Sequence, residues 1–243
     1  MKKISIEELD TGEPMMASAI DEKLIKLYER KDAFCSSDYH LGRQFLYLPS
    51  DKKYKEAVEN TERCIELHNK IVGKDDSFLF LGDLTESEFG EQNDKSIILK
   101  DVKKFVDRLN GNILMVAGNN DTLDPKFYEE CGITVLRCMS VTGNKFKFSH
   151  YPFNVTDGKL NIHGHIHGNK KYWAVNPKNH IDVYWKLWDG PKTISEFEEI
   201  YKSGKYKGLY IPFGYEGQPT DVHGWLFNNL FWSPFRTPVL FTK

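Results

Sequence analysis

The sequence is short of cysteine, of basic runs and of long apolar stretches, and each shortage removes a class of protein. Four cysteines (Cys35, Cys64, Cys131, Cys138) stand singly, without a CxxC pair. In a chain of 243 residues they read as reduced core residues, not as a disulfide framework. Lys and Arg number 33 against 35 Asp and Glu, a formal net charge of −2 with no basic tract. An extended, sequence-independent grip on nucleic acid needs many Lys and Arg contacts to phosphates, so none is expected. Behind Met1-Lys2-Lys3 the chain turns acidic, with no apolar segment of a signal peptide and nowhere enough consecutive apolar residues to span a membrane. A cytoplasmic protein is the expectation. Internal repeats and low-complexity segments are also missing.

What is present suits a packed globule: 40% hydrophobic and 28% charged residues. Ala33 to Ser36, Phe78 to Leu81 and Ile113 to Ala117 are short apolar runs that end in polar turns, and each reads as a buried strand. Between them, Asp51 to Val72 and Asn93 to Leu109 carry apolar residues at helical spacing with charges on the other faces. That alternation predicts a βαβ sheet with helices outside. Ile133 to Val141, Lys145 to Ser149, Leu160 to His163 and His180 to Trp185 read as strands of a second sheet. A helix follows over Ile194 to Ser203, with Ser195 as its cap. The predicted class is α/β, with a catalytic domain over residues 1–203 and an aromatic-rich elaboration over 204–243 packed on it.

Chemistry-bearing residues follow the strand ends. Asp38 and His40 come after the first strand, Gly82-Asp83 after the second and Gly118-Asn119-Asn120-Asp121 after the third. In open α/β sheets ligands collect beyond the carboxyl ends of strands, so these segments should converge. His150 and His163-Gly164-His165-Ile166-His167 come from the second sheet. Carboxylate, carboxamide and imidazole together suit Mn, Fe, Zn or related first-row ions better than Ca or Mg alone. Seven donors (Asp38, His40, Asp83, Asn119, His150, His165, His167) exceed one site once water is included, and suffice for two if one carboxylate bridges.

In order, Asp-x-His, Gly-Asp, Gly-Asn, His and Gly-His-x-His resemble the five-block signature of the calcineurin-like metallophosphoesterases. The blocks span roughly residues 33 to 185. The resemblance implies a four-layer sandwich, two stacked sheets flanked by helices, and a phosphoric ester hydrolase with two divalent ions. Manganese is the first choice of metal, with Mg, Co, Fe and Zn as others. By resemblance, Asp38, His40, Asp83 and His167 hold one ion and Asp83, Asn119, His150 and His165 the other. Asp83 is the bridge, and water activated between the ions is the nucleophile. Many members have His where this chain has Asn120, and that His assists the leaving group. Asn120 is therefore expected at the substrate as a hydrogen-bond donor, and Asp121 in the catalytic set as an orienting carboxylate.

The chain is similar to compact and phage-type members, including deoxynucleoside 5′-monophosphatases, which would place it in a host cytoplasm if phage-encoded. A (deoxy)nucleoside 5′-monophosphate is the expected substrate. A phosphodiesterase on cyclic or short-chain nucleotides is the alternative, and a non-catalytic metal-binding interaction scaffold is the reading from another class. The expected partner is a small phosphorylated substrate, with no membrane and no extended nucleic-acid surface. Arg43 either reaches a phosphate or pairs with a neighbouring acid. His163 is read as a core or supporting residue, His180 and His223 as surface or structural residues in preference to substrate contacts, and His68 as an ordinary residue of a surface helix. The tail aromatics (Phe213, Tyr215, Trp225, Phe227, Phe231, Trp232, Phe235) could stack a nucleobase, and are read in preference as covering a core edge or joining a second copy.

Overall fold

The structure is a computed structural model that describes residues 17–86, 95–136, 138, 140–152, 155, 158–168 and 179–204. His223, the tail aromatics and the proposed elaboration beyond Gly204 lie outside the described residues. The chain is mixed α/β: two sheets flanked by helices. Strands β1 (Phe34–Ser36), β2 (Ser77–Phe80) and β3 (Asn112–Val116) lie side by side in parallel, as the apolar runs predict. Helices α2 (Lys52–Ile71) and α3 (Lys95–Val106) connect them.

These strands are buried on both faces, and alternate residues enter different cores. Phe78, Phe80, Ile113 and Met115 pack with Ile65 of α2 and Val102 and Val106 of α3. Leu79, Leu81, Leu114 and Val116 point the other way, onto Phe146, Phe148, Leu160 and Ile162 of the second sheet. Ile25 of α1 (Ala19–Arg30) and Phe197 of α6 (Ile194–Ser203) join that inter-sheet core. Among the described residues, no helix is long and apolar enough to cross a membrane.

Several elements differ from the expectation. The run Ile133 to Val141 is not one strand of the second sheet. It divides into β4 (Thr134–Leu136), which extends the first sheet beside β3, and β5 (Ser140–Thr142), which opens the second. Strands β6 (Phe146–Ser149), β7 (Leu160–His163) and β8 (His180–Asp182) complete that sheet, and α5 (Trp185–Trp188) replaces the expected end of the last strand. Strand β9 (Lys192–Thr193) pairs antiparallel with β1. Helix α6 is capped by Thr193, not Ser195: Thr193 and Glu196 form a capping box, while Ser195 bonds to Asp32. The short helix α4 (Pro125–Glu130) follows β3. His68 is corrected most sharply, being fully buried where α2 meets the first sheet.

Candidate metal centre

The segments after β1 and β2 stay zipped beyond the strands. Asp38 N–H donates to the Gly82 carbonyl at 2.9 Å, His40 N–H to that of Asp83 at 3.0 Å and Leu41 N–H to that of Leu84 at 2.9 Å. Between Asp38 and His40, Tyr39 turns into the helix-side core, where its hydroxyl lies 2.9 Å from His68 Nδ1. Among the described residues, seven non-glycine positions have positive φ. Five are Asp38, His40, Asp83, His165 and His167, at 60°, 50°, 57°, 73° and 48°. Each costs about 1 kcal/mol or more and persists only where its surroundings hold it, so the strain is concentrated on the candidate ligands.

Two groups of donors result, both containing Asp83. One joins Asp38, His40, Asp83 and His167, and the other Asp83, His150 and His165. In the first, His167 Nε2 lies 3.0 Å from Asp38 Oδ1 and 3.3 Å from His40 Nε2, which is 3.7 Å from Asp83 Oδ2. In the second, His150 Nε2 lies 3.1 Å from His165 Nδ1, 3.1 Å from Asn119 Oδ1 and 3.4 Å from Asp83 Oδ1. The His165 N–H reaches back to both oxygens of Asp38 at 3.1 Å.

These contacts test whether a cation fits. His150 Nδ1 donates to the Leu81 carbonyl at 2.8 Å, which leaves the ring's lone pair on Nε2. That lone pair faces an amide oxygen and a carboxylate oxygen, both acceptors, with a second imidazole nitrogen 3.1 Å away. Such convergence is stable only around a positive charge, a proton or a metal ion, and the donor types suit a divalent first-row metal. In the apo chain a proton serves. Burial opposes the His150 imidazolium, but the charges of Asp83 and Asp38 outweigh it and push its pKa up to about 9. For His165, burial and the neighbouring His150 pull the pKa down to about 3, so this ring is neutral and ready to ligate. Burial also works against ionised Asp38 and Asp83, yet the surrounding histidines hold both below the usual carboxylate range.

Asp121 is a latch. Its buried carboxylate accepts from the N–H groups of Asp83 (2.7 Å), Gly118 (2.9 Å), Leu84 (3.0 Å) and Thr85 (3.1 Å). Burial, and then the charge of Asp83, raise its pKa to about 6. Asn120 does not stand free for a substrate: its backbone N–H and its amide reach the two oxygens of Asp83 at 2.8 and 2.7 Å. Arg43 opens the 3₁₀ turn Arg43–Leu46, is exposed, and lines a cleft with His40 and Tyr184. His163 and His180 are buried outside both donor groups, edge to face with ring centroids 5.5 Å apart.

Three supporting residues escaped the sequence reading. Glu86 Oε2 is 3.5 Å from His40 Nδ1. Asp182, fully buried, accepts from Gly168 N–H at 2.6 Å and Tyr184 N–H at 2.9 Å and so anchors the loop behind His167. The Tyr184 ring stacks on His167 at 4.6 Å. A lone acid in the apolar run Ile181-Asp182-Val183 was the available signal for Asp182. For Glu86, beside an acidic stretch, there was none.

No protein-family profile matches the chain. The uncharacterized protein MJ1445 of Methanocaldococcus jannaschii is 29% identical over 148 residues, 58% of this chain and 74% of that protein. Among solved structures, the Pseudomonas putida nuclease MPE is similar with a TM-score of 0.38 at 18% identity, over 57% of this chain and 63% of the nuclease. The chain thus spans less than two thirds of that relative. The protein of unknown function AQ665 from Aquifex aeolicus gives a TM-score of 0.43 at 18% identity, over 69% of this chain and 98% of that one.

Proposed function

We propose that the chain is a metal-dependent phosphoesterase, with Asp38, His40, Asp83 and His167 holding one divalent ion and Asp83, Asn119, His150 and His165 a second. The observation that carries this reading is the convergence of acceptor atoms in two groups that share Asp83. The ordered motif blocks support the same reaction class. When bound, such ions polarise a phosphoryl oxygen and make water nucleophilic near neutral pH. The chain's own residues supply placement. Asp121 fixes the backbone that carries Asp83, Asn120 holds both oxygens of Asp83 in one orientation, and Leu81 fixes the tautomer of His150. Asn120, committed to Asp83, leaves protonation of the departing oxygen to water or to another group.

The substrate we favour is the phosphomonoester of a nucleotide, and manganese the metal. The test combines metal analysis with phosphate release from nitrophenyl phosphate and from nucleotides in Mn, Mg and Co. Two equivalents of metal and metal-dependent turnover are expected. A chain that binds no metal above one equivalent, or turns over nothing when loaded, sinks the proposal.

A further inference from the structure

A cleft of about 290 Å³ adjoins the centre. It shares two walls with the first donor group: His40 lines it directly, and Tyr184, which lines it too, lies stacked on His167. Cations outnumber acids in the rest of its lining, among aromatic and neutral polar residues. Arg43, Lys186 and Lys53 all face it, and the acid in the lining, Glu56, is held by Lys52 at 3.1 Å. Among the described residues neither Arg43 nor Lys186 is in an ion pair, and Asp189, at the end of the helix carrying Lys186, is engaged by Arg63 at 3.1 Å. The ammonium of Lys186 lies over the Trp185 ring at 5.2 Å and that of Lys53 over the Tyr47 ring at 5.8 Å, so aromatic faces position both. Burial, and after it the neighbouring Arg43, lower the pKa of Lys186.

We infer that this cleft takes a second phosphate of the substrate, carried beyond the phosphate at the metal centre. A substrate with one phosphate needs no cluster of cations outside the centre. A guanidinium and two ammonium groups suit a dianion, with Arg43 able to bind it in bidentate fashion. The inference rests on the phosphoesterase reading and narrows it, from nucleotides in general to those bearing a further phosphate.

The test compares adenosine 3′,5′-bisphosphate with adenosine 5′-monophosphate on the full chain. Calorimetric affinity is measured with the protein as purified, and KM with it loaded with Mn. The bisphosphate should bind about tenfold more tightly or better, since hydrogen bonds to charged groups are worth that much. Lys186→Ala and Arg43→Ala should each bring the ratio of the two affinities to within about twofold, and Lys186→Arg should restore most of it. Lys192→Ala, on the edge strand β9 and outside the lining of the cleft, should leave the ratio alone. A structural role for Lys186 would weaken both ligands equally and keep their ratio. Equal affinities in the wild type, or a ratio untouched by both alanine variants, overturn the inference. Failure of the phosphoesterase reading looks different: the bisphosphate is preferred in calorimetry, but no phosphate is released with any metal.

Discussion

Asn120 shows what one position can hide. Its residue type was legible in the sequence as a departure from an imidazole, but its direction was not, because the hydrogen bonds to Asp83 depend on a backbone path after β3 that no local pattern encodes. Asn120→Ala removes one of those bonds and should lower metal affinity about tenfold, the usual cost of losing a partner behind a ligand. Titration of the variant with Mn measures this. A leaving-group series should keep its wild-type slope, and a changed slope would return Asn120 to the leaving group as a hydrogen-bond donor. Asp83 stands in both donor groups. Asp83→Asn should therefore leave less than one equivalent of metal in the purified chain and reduce turnover at least a thousandfold, roughly the scale on which metal-ion and electrostatic stabilisation operate. The metal content is the stricter readout, since retention of two equivalents would remove Asp83 from the shared position. The other donors were readable because Asp, His and Asn end apolar runs. Their left-handed backbones were not, since Asp and His adopt that conformation only where neighbours impose it.

At the scale of elements, β1, β2, β3, α2 and α3 were legible because their apolar spacing is clean. The division of Ile133 to Val141 was not, for a continuous apolar run does not reveal which sheet each half joins. The loops after β2 and β3 are held together by Asp121. Asp121→Ala strands four buried N–H groups and should cost about 3–5 kcal/mol, measured by urea unfolding. Less than 1 kcal/mol would mean the latch is dispensable. Helix α2 is tied to the first sheet by His68, whose Nε2–H donates to the Asn110 carbonyl while Nδ1 accepts from the Tyr39 hydroxyl, each at 2.9 Å. Charging the ring would break the second bond. Burial, opposed only weakly by the bond to Asn110, lowers its pKa from 6.5 to about 4. Below pH 6.5 the unfolded chain takes up a proton that the folded chain refuses. His68's contribution is thus complete above that pH and is lost as pH falls towards 4, about 3 kcal/mol in all. Unfolding of wild type and His68→Gln at pH 7 and pH 5 should show a smaller acid loss in the variant. Parallel curves would contradict this.

For the whole molecule, the centre gathers features that a positive charge, a proton or a metal ion, must hold together: buried carboxylates, converging acceptors and left-handed residues. Metal at about a hundred times its dissociation constant should add about 2.7 kcal/mol of stability, or roughly 5–10 °C in a thermal melt, reversed by chelator. An unmoved melt would deny the centre its metal. The separation of its parts along the chain has a further consequence, for synthesis on the ribosome. Asp38 and His167 meet across 129 residues, and the second sheet must lie on the first before they do. At 5–20 residues per second, on the order of ten seconds pass between translation of the two. Metal therefore cannot guide the early nascent chain. On the proposed reading it would be taken up after the sheets have closed, and a shortage in the cell should yield a folded, empty protein that recovers on later supply without new translation.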